Sequence, residues 1–208
     1  MTRPRLHGDA GQAFPIYITV VGGLLFLAFA YFAVGQAAAN RNGAQTAADA
    51  AALAAAQDRR DQLAGAWVKD VLDPTKWRQI FEGTAQGLGP SCWRAHELAA
   101  QNDARLVGLG CSPDGPLSFT VEVETNISVG ESIVPGTENQ KSNATARAVI
   151  EPRCDFEPPT GDADPDVLPA LLCDGGTDWE LKPDDLDALP KPEDLFDVHL
   201  ADPQANDE

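Results

Sequence analysis

One uninterrupted apolar run dominates the N-terminal part of the chain. No charged residue occurs from Ala10 to Asn40, and the 19 residues of the segment 16–34 are apolar or aromatic apart from one threonine and two glycines. A bilayer core of about 30 Å requires roughly 20 such residues in a helix. A helix can cross lipid because it satisfies its backbone hydrogen bonds internally. The run therefore predicts a transmembrane helix over residues 15–35.

A cleaved secretory signal is the alternative for this run, because residues 34–37 would accommodate cleavage after a small residue. Such signals have a shorter apolar region of about 7–15 residues, so the length favours a retained anchor. Arg3 and Arg5 precede the run and Arg41 follows it. The positive-inside rule then predicts a single-pass protein of the cell membrane, with residues 1–14 cytoplasmic and the C-terminal region extracytoplasmic.

The next segment, residues 36–61, is rich in alanine, the residue with the highest helix propensity. It predicts a helical extension of the anchor. Small residues recur four positions apart, a spacing that lets helices approach closely, and this predicts packing against helices of other proteins. The predicted interface residues are Gly35, Ala39, Ala44, Ala48, Asp49, Ala51, Ala52 and Ala55. The alternatives are a linker helix that is rich in alanine for propensity alone, and a solvated Asp49 instead of one that forms an ion pair with a neighbouring helix.

Residues 62–154 predict a small extracytoplasmic α+β module. The helical pattern continues over residues 62–72 and stops before Pro74, because the residue before a proline avoids the helical conformation. Residues 92–106 predict a short helix. Its apolar positions are Trp93, Ala95, Leu98, Ala99 and Leu106.

Two segments of this module show the period-two alternation of half-buried strands. Residues 117–129 place Phe119, Val121 and Val123 on one face, and residues 144–150 follow after a loop. The second strand places Ala144, Ala146, Ala148 and Ile150 on one face. Together they predict a hairpin-like pair with a long connection.

All four cysteines follow the predicted anchor, which suits disulfides in an oxidising exterior. They are Cys92, Cys111, Cys154 and Cys173. Each sequential pair encloses 18 residues. We favour the bridges Cys92–Cys111 and Cys154–Cys173, although four cysteines allow three connectivities.

Almost all of the net charge lies in the last quarter of the chain. Residues 155–208 contain 17 acidic and two basic residues, a net charge of −15 out of −17 for the chain, together with eight prolines. Such a composition predicts a mostly disordered tail, either solvated or acting as a docking peptide through its interleaved apolar groups. Because this charge repels phosphate backbones, it argues against a nucleic-acid partner.

No residue pattern in the sequence predicts a catalytic, cofactor or metal site. Cys92 and His96 are one helical turn apart but lack the spacing of a zinc site. Asp162, Asp164 and Asp166 begin like a calcium loop, yet Val167 and Cys173 occupy the positions that require glycine and glutamate. We therefore infer no small-molecule substrate and expect the protein not to be an enzyme.

A family resemblance rests on two motifs that flank the apolar run. They are GQAFP at residues 11–15 and, after Arg41, AQTAADAAALA at residues 44–54. Residues 11–57 resemble the N-terminal segment of the TadG-like (TadE/TadG-related) proteins of the Flp (Tad) pilus-assembly system. The resemblance implies a membrane-anchored envelope protein that takes part in building or anchoring a pilus. Its implied partners are the lipid bilayer and other pilus-assembly or pilin-like membrane proteins.

Two functions from different classes follow from these observations. The first is a non-enzymatic component of a Flp/Tad-type pilus apparatus that acts through its N-terminal helix. The alternative is a surface-displayed binding protein, in which the helix is only a stalk and the acidic tail captures cations or a cationic ligand. For a third function, hydrolysis by the exterior module, the sequence offers no catalytic constellation.

Overall fold

The structure, a computed structural model, describes residues 13–128, 139–158, 167–175, 177–183 and 189–201. Its helices are α1 (Ala13–Lys69), α2 (Trp77–Phe81), α3 (Cys92–Gln101) and α4 (Pro192–Leu195), with a 3₁₀ turn at Pro74–Lys76. Its strands are β1 (Ala104–Pro113), β2 (Ser118–Thr125), β3 (Asn143–Pro152), β4 (Cys154–Asp155), β5 (Leu171–Cys173), β6 (Thr177–Trp179) and β7 (Phe196–Leu200). The described part of the chain is therefore α+β, as predicted.

The predicted transmembrane segment and its alanine-rich extension form one continuous helix, α1, of 57 residues. Alanine favours the helix throughout its centre, and no proline interrupts the chain between Pro15 and Pro74. At 1.5 Å per residue α1 is about 85 Å long. Beyond its end at Lys69, the indole Nε1 of Trp77 donates a hydrogen bond to the Asp70 carbonyl oxygen at 3.1 Å, which holds the chain reversal.

Four antiparallel strands form the larger sheet, in the order β1-β2-β3-β7. In the β2–β3 pair, Phe119 lies opposite Ala148 and Val121 lies opposite Ala146. All four of these side chains are buried. The period-two alternation therefore predicted both strands and the face that each one buries.

The predicted helix over residues 92–106 is too long. α3 ends at Gln101, and Asp103 adopts a left-handed conformation with φ 52° that turns the chain into β1. Leu106 consequently belongs to β1, where it pairs with Val123. Trp93, one of the apolar positions of the predicted helix, has 55% of its surface exposed, and its ring contacts the Arg94 guanidinium.

β1 contains a bulge that interrupts its alternation of apolar and polar residues, so the sequence pattern did not predict this strand. Leu106 pairs with Val123 and Cys111 pairs with Val121, so the four residues 107–110 stand opposite Glu122 alone. Gly108 and Gly110 have φ of 58° and 65°, a region that favours glycine. Leu109, between them, is 87% exposed. A bulge of this kind disrupts the ladder and bends an edge strand.

The alanine-rich face of α1 forms one side of the hydrophobic core. α1 contacts β2, β3, β7 and α3. Its fully buried alanines are Ala44, Ala47, Ala48, Ala51, Ala52, Ala55 and Ala56. Because alanine has the smallest apolar side chain, the helix backbone can approach the sheet closely, and Phe119, Val121 and Ile150 of the sheet fill the space between them.

The C-terminal region is part of the fold. The prediction of a mostly disordered tail over residues 155–208 is wrong for the part of this region that the structure describes. β7 pairs with β3, with Phe196 opposite Pro152 and Leu200 opposite Ala148. Leu195 and Phe196 are fully buried. The folded module therefore extends past the predicted boundary at residue 154.

Aromatic side chains explain why this acidic region folds. Trp67 of α1 packs on Trp77, which contacts Phe156 at a ring separation of 5.3 Å. Phe81 lies against both Phe156 and Phe196, with ring separations of 5.9 and 5.4 Å. Aromatic pairs contribute stability beyond the area that they bury. The cluster draws on α1, α2 and the C-terminal region, so its formation requires all three segments.

Both disulfides agree with the pairing that the sequence favoured. Cys92–Cys111 joins the start of α3 to β1, and Cys154–Cys173 joins β4 to β5 across a directly opposed pair. The second bridge fastens the small β4-β5-β6 sheet to the chain that leaves β3.

We predict that Phe196→Ala destabilises the full chain by about 3–5 kcal/mol, the usual cost of removing a buried phenylalanine from a core. The measurement is chemical denaturation in detergent micelles, followed by circular dichroism and tryptophan fluorescence. The matched control is Leu172→Ala, because Leu172 lies in the same C-terminal region but is 53% exposed. Equal effects of the two substitutions would contradict the core assigned to the C-terminal region.

Candidate functional site on the long helix

The first half of α1 presents apolar side chains to its surroundings on all sides. Thirteen large apolar or aromatic residues between positions 14 and 34 are 53–83% exposed. They are Phe14, Ile16, Tyr17, Ile18, Val20, Leu24, Leu25, Phe26, Leu27, Phe29, Tyr31, Phe32 and Val34. Contiguous apolar surface on this scale marks a contact with lipid or with other proteins.

This half of α1 has the length and composition of a membrane-crossing helix. Its most apolar 18-residue window has a mean hydropathy of 2.2, and none of that window is buried within the protein. The hydroxyl of Thr19 donates to the Pro15 carbonyl oxygen at 2.8 Å, so its polar group is satisfied within the helix. The structure is therefore consistent with the predicted anchor.

The second half of α1 is occupied by the chain's own module. Five of the predicted helix-packing residues, Ala44, Ala48, Ala51, Ala52 and Ala55, have no exposed surface. The last four belong to the core that also contains Phe119, Val121 and Ile150, and Ala44 lies one turn before them on the same helix. In this fold they cannot contact a second protein, which corrects their prediction as an intermolecular interface. The small side chains do allow close approach, but the partner is the sheet of the same chain.

The remaining three predicted residues are not in this core. Gly35 and Ala39 are exposed on the part of α1 that precedes the module. Asp49 is partly buried and accepts a hydrogen bond from Gln45 Nε2 at 2.7 Å, one turn earlier in the same helix. This partner satisfies the Asp49 carboxylate without an ion pair to a neighbouring helix.

Asn40 marks the boundary between the two halves, and its role was not predicted. Its Nδ2 donates to the Ile127 carbonyl oxygen at 3.0 Å, and its Oδ1 accepts from the Thr125 hydroxyl at 3.2 Å. These bonds join α1 to the end of β2. We call this region the Asn40 end of the module. An asparagine inside an alanine-rich helix, where its propensity is poor, was the available signal for such a tertiary contact.

Gln62, further along α1, likewise joins the helix to another segment by side-chain hydrogen bonds, here to the loop before α3. Its Oε1 accepts from the Gly89 backbone N–H at 2.7 Å, and its Nε2 donates to Ser91 Oγ at 3.2 Å. The Arg59 guanidinium lies 5.7 Å from the centre of the Phe119 ring. Burial lowers the pKa of Arg59, and the nearby Asp58 carboxylate partly opposes that effect. Polar residues of α1 thus fix the loop that leads into α3.

The structure does not bring the residues considered for metal binding together into a site. Cys92 is bonded to Cys111 and so cannot share a metal with His96. Among the residues that the structure describes, no three His, Cys, Asp or Glu side chains are grouped as metal ligands would be. The aspartates at positions 162, 164 and 166 lie outside the described residues.

Comparison with known proteins gives one match. Residues 11–58 match the model of the Tad family, whose description reads "Putative Flp pilus-assembly TadE/G-like". The match therefore covers the exposed half of α1 together with most of its buried alanine face. No curated protein matches the chain, and no solved structure matches it.

We predict that Ala48→Leu destabilises the full chain by about 1–3 kcal/mol, because three additional carbons must fit into a filled space between α1 and the sheet. Ala39→Leu makes the same chemical change on the same helix, but at an exposed position, so it should leave the free energy of unfolding nearly unchanged. Denaturation curves of both variants in detergent provide the comparison. A neutral Ala48→Leu would show that the alanine face is not closely packed.

Proposed function

We propose that this chain is a non-enzymatic, single-pass envelope protein that takes part in the assembly or anchoring of a Flp/Tad-type pilus. The match of residues 11–58 to the Tad family is the observation that carries the proposal. It covers the half of α1 whose apolar surface is exposed and continues into the buried alanine face. A helix with that surface can be anchored in lipid and can also contact other membrane helices.

The proposed topology places residues 1–14 in the cytoplasm and the module outside the membrane. Arg3 and Arg5 precede the apolar segment, as the positive-inside rule requires. Two disulfides in the module favour an oxidising compartment. Since the module begins to contact α1 at Asn40, it stands next to the membrane without a flexible linker.

The partners in this proposal are other pilus-assembly or pilin-like membrane proteins. Because the alanines from position 44 onward are buried within the chain, contacts with partner helices fall on the segment before Asn40. Gly35 and Ala39 are one turn apart and exposed there. Their small side chains would let a partner helix approach the backbone of α1 closely.

Deletion of the gene tests the function directly. We expect surface filaments counted by electron microscopy to disappear and to return on complementation. The informative complementing variant replaces residues 11–38 with an unrelated transmembrane helix, because a longer exchange would remove core alanines and unfold the module. If that variant restores the filaments fully, residues 11–38 serve only as an anchor and the role in assembly belongs to the module. Filaments that persist in the deletion strain would contradict the role in assembly.

We predict that Ala39→Leu reduces co-purification with pilus-assembly proteins by roughly tenfold, which corresponds to about 1.4 kcal/mol of lost contact energy. Ala37→Leu is the matched control, because Ala37 is also exposed but lies about 200° around the helix from Ala39. Quantitative mass spectrometry of affinity-purified, crosslinked membranes gives the ratio. Equal recovery with both variants would exclude close packing at Ala39.

A further inference from the structure

Ile127 is an exposed apolar side chain at the Asn40 end of the module. It follows β2, and 64% of its surface is exposed, although its carbonyl oxygen is bonded to Asn40. Ile127 and Ser128 line a groove with Gln36, Ala39 and Gly43 of α1. The residues that follow β2 therefore lie beside α1 near the levels of Asn40 and Gln36.

The position of this groove along α1 can be compared with the thickness of a bilayer. The apolar run ends at Val34. At 1.5 Å per residue, Gln36 lies about 3 Å and Asn40 about 9 Å beyond that point. The headgroup layer on each side of the hydrocarbon core is about 5–8 Å thick. With the apolar run in the hydrocarbon core, Ile127 falls at the level of the headgroups.

The charges at this end of the module suit such a position. The Arg105 side chain pairs with Glu124, and Lys141 Nζ lies 3.8 Å from the same carboxylate. Together with Arg41 and Asp103, the charged residues that the structure describes at this end sum to a formal charge of +1, in a chain of −17. The described acidic segments lie elsewhere, because β7 begins opposite Pro152, at the far end of β3.

We propose that the Asn40 end of the module rests against the lipid headgroup layer, with the Ile127 side chain within that layer. This inference rests on the proposed single-pass anchor. The occupant of the surface is the bilayer that α1 itself crosses, because Ile127 lies beside the part of α1 that leaves the apolar run, within about 9 Å of its end. The contact orients the module relative to the membrane.

Site-directed spin labelling of the full chain tests this contact. Because all four cysteines are in disulfides, a single introduced cysteine is the only site for a nitroxide label. Ile127→Cys, Leu109→Cys and Leu25→Cys are labelled separately and reconstituted into vesicles of phosphatidylethanolamine with a minority of phosphatidylglycerol. The measurement is the accessibility of each label to oxygen, which concentrates in lipid, relative to a water-soluble nickel chelate.

We expect the oxygen-to-nickel ratio at position 127 to exceed that at position 109 several-fold and to lie below that at position 25. Leu109 is the control for exposure alone, since it is 87% exposed on the β1 bulge. Equal ratios at positions 127 and 109, with a lipid-like ratio at position 25, would overturn the headgroup contact and leave the anchor intact. A water-like ratio at position 25 would overturn the anchor as well.

A second label position guards against a local effect of the substitution at Ile127. Asn126 is exposed and adjacent to Ile127. A label on Asn126→Cys should therefore report the same headgroup depth as a label at position 127. Circular dichroism of each labelled protein shows whether the module is folded. A folded Asn126→Cys protein with a fully aqueous label would also count against the proposal.

Discussion

The close contact between the alanine face of α1 and the larger sheet is the constraint on which the rest of the module depends. α1 contacts all three other helices and each of the four strands of that sheet. A helix can contact so many neighbours only where its own side chains occupy little space, and nine of the 13 residues at positions 44–56 are alanine. Larger residues would displace the sheet from the helix, and with it the hydrogen bonds that Asn40 and Gln62 make to the surrounding loops.

The same chemical pattern acts differently in the two halves of α1. Beyond Asn40, the small residues are covered by the protein's own sheet and stabilise the module. Before Asn40, Gly35 and Ala39 remain uncovered on a helix whose other side chains are apolar. The spacing of small residues in the sequence specifies how closely something can approach the helix, and it carries no information about what approaches. The sequence therefore predicted close packing and assigned it to the wrong partner for five alanines.

The strands that could be predicted from the sequence are those with an uninterrupted alternation of apolar and polar residues. β2 and β3 were predicted because each alternates without interruption and buries one face. β1 was missed because the glycines at positions 108 and 110 break the alternation. Leu195 and Phe196 were missed because aspartates, glutamates and prolines surround them, and Phe196 packs against Phe81, which also contacts Phe156. Such long-range aromatic contacts leave no periodic signal in the segment that contributes to them.

The continuity of α1 has a mechanical consequence. No break separates the exposed half of the helix from the half that carries the module, and Trp67 lies 27 residues beyond Asn40, a distance of about 40 Å. A rotation of the first half by about 10° would move the aromatic cluster around Trp67 sideways by roughly 7 Å, from that length alone. The two parts of the helix on either side of Asn40 are nearly equal in length, 27 residues back to Ala13 and 29 on to Lys69. Any tilt of the first half therefore moves the far end, where the acidic segments are attached, by a similar distance.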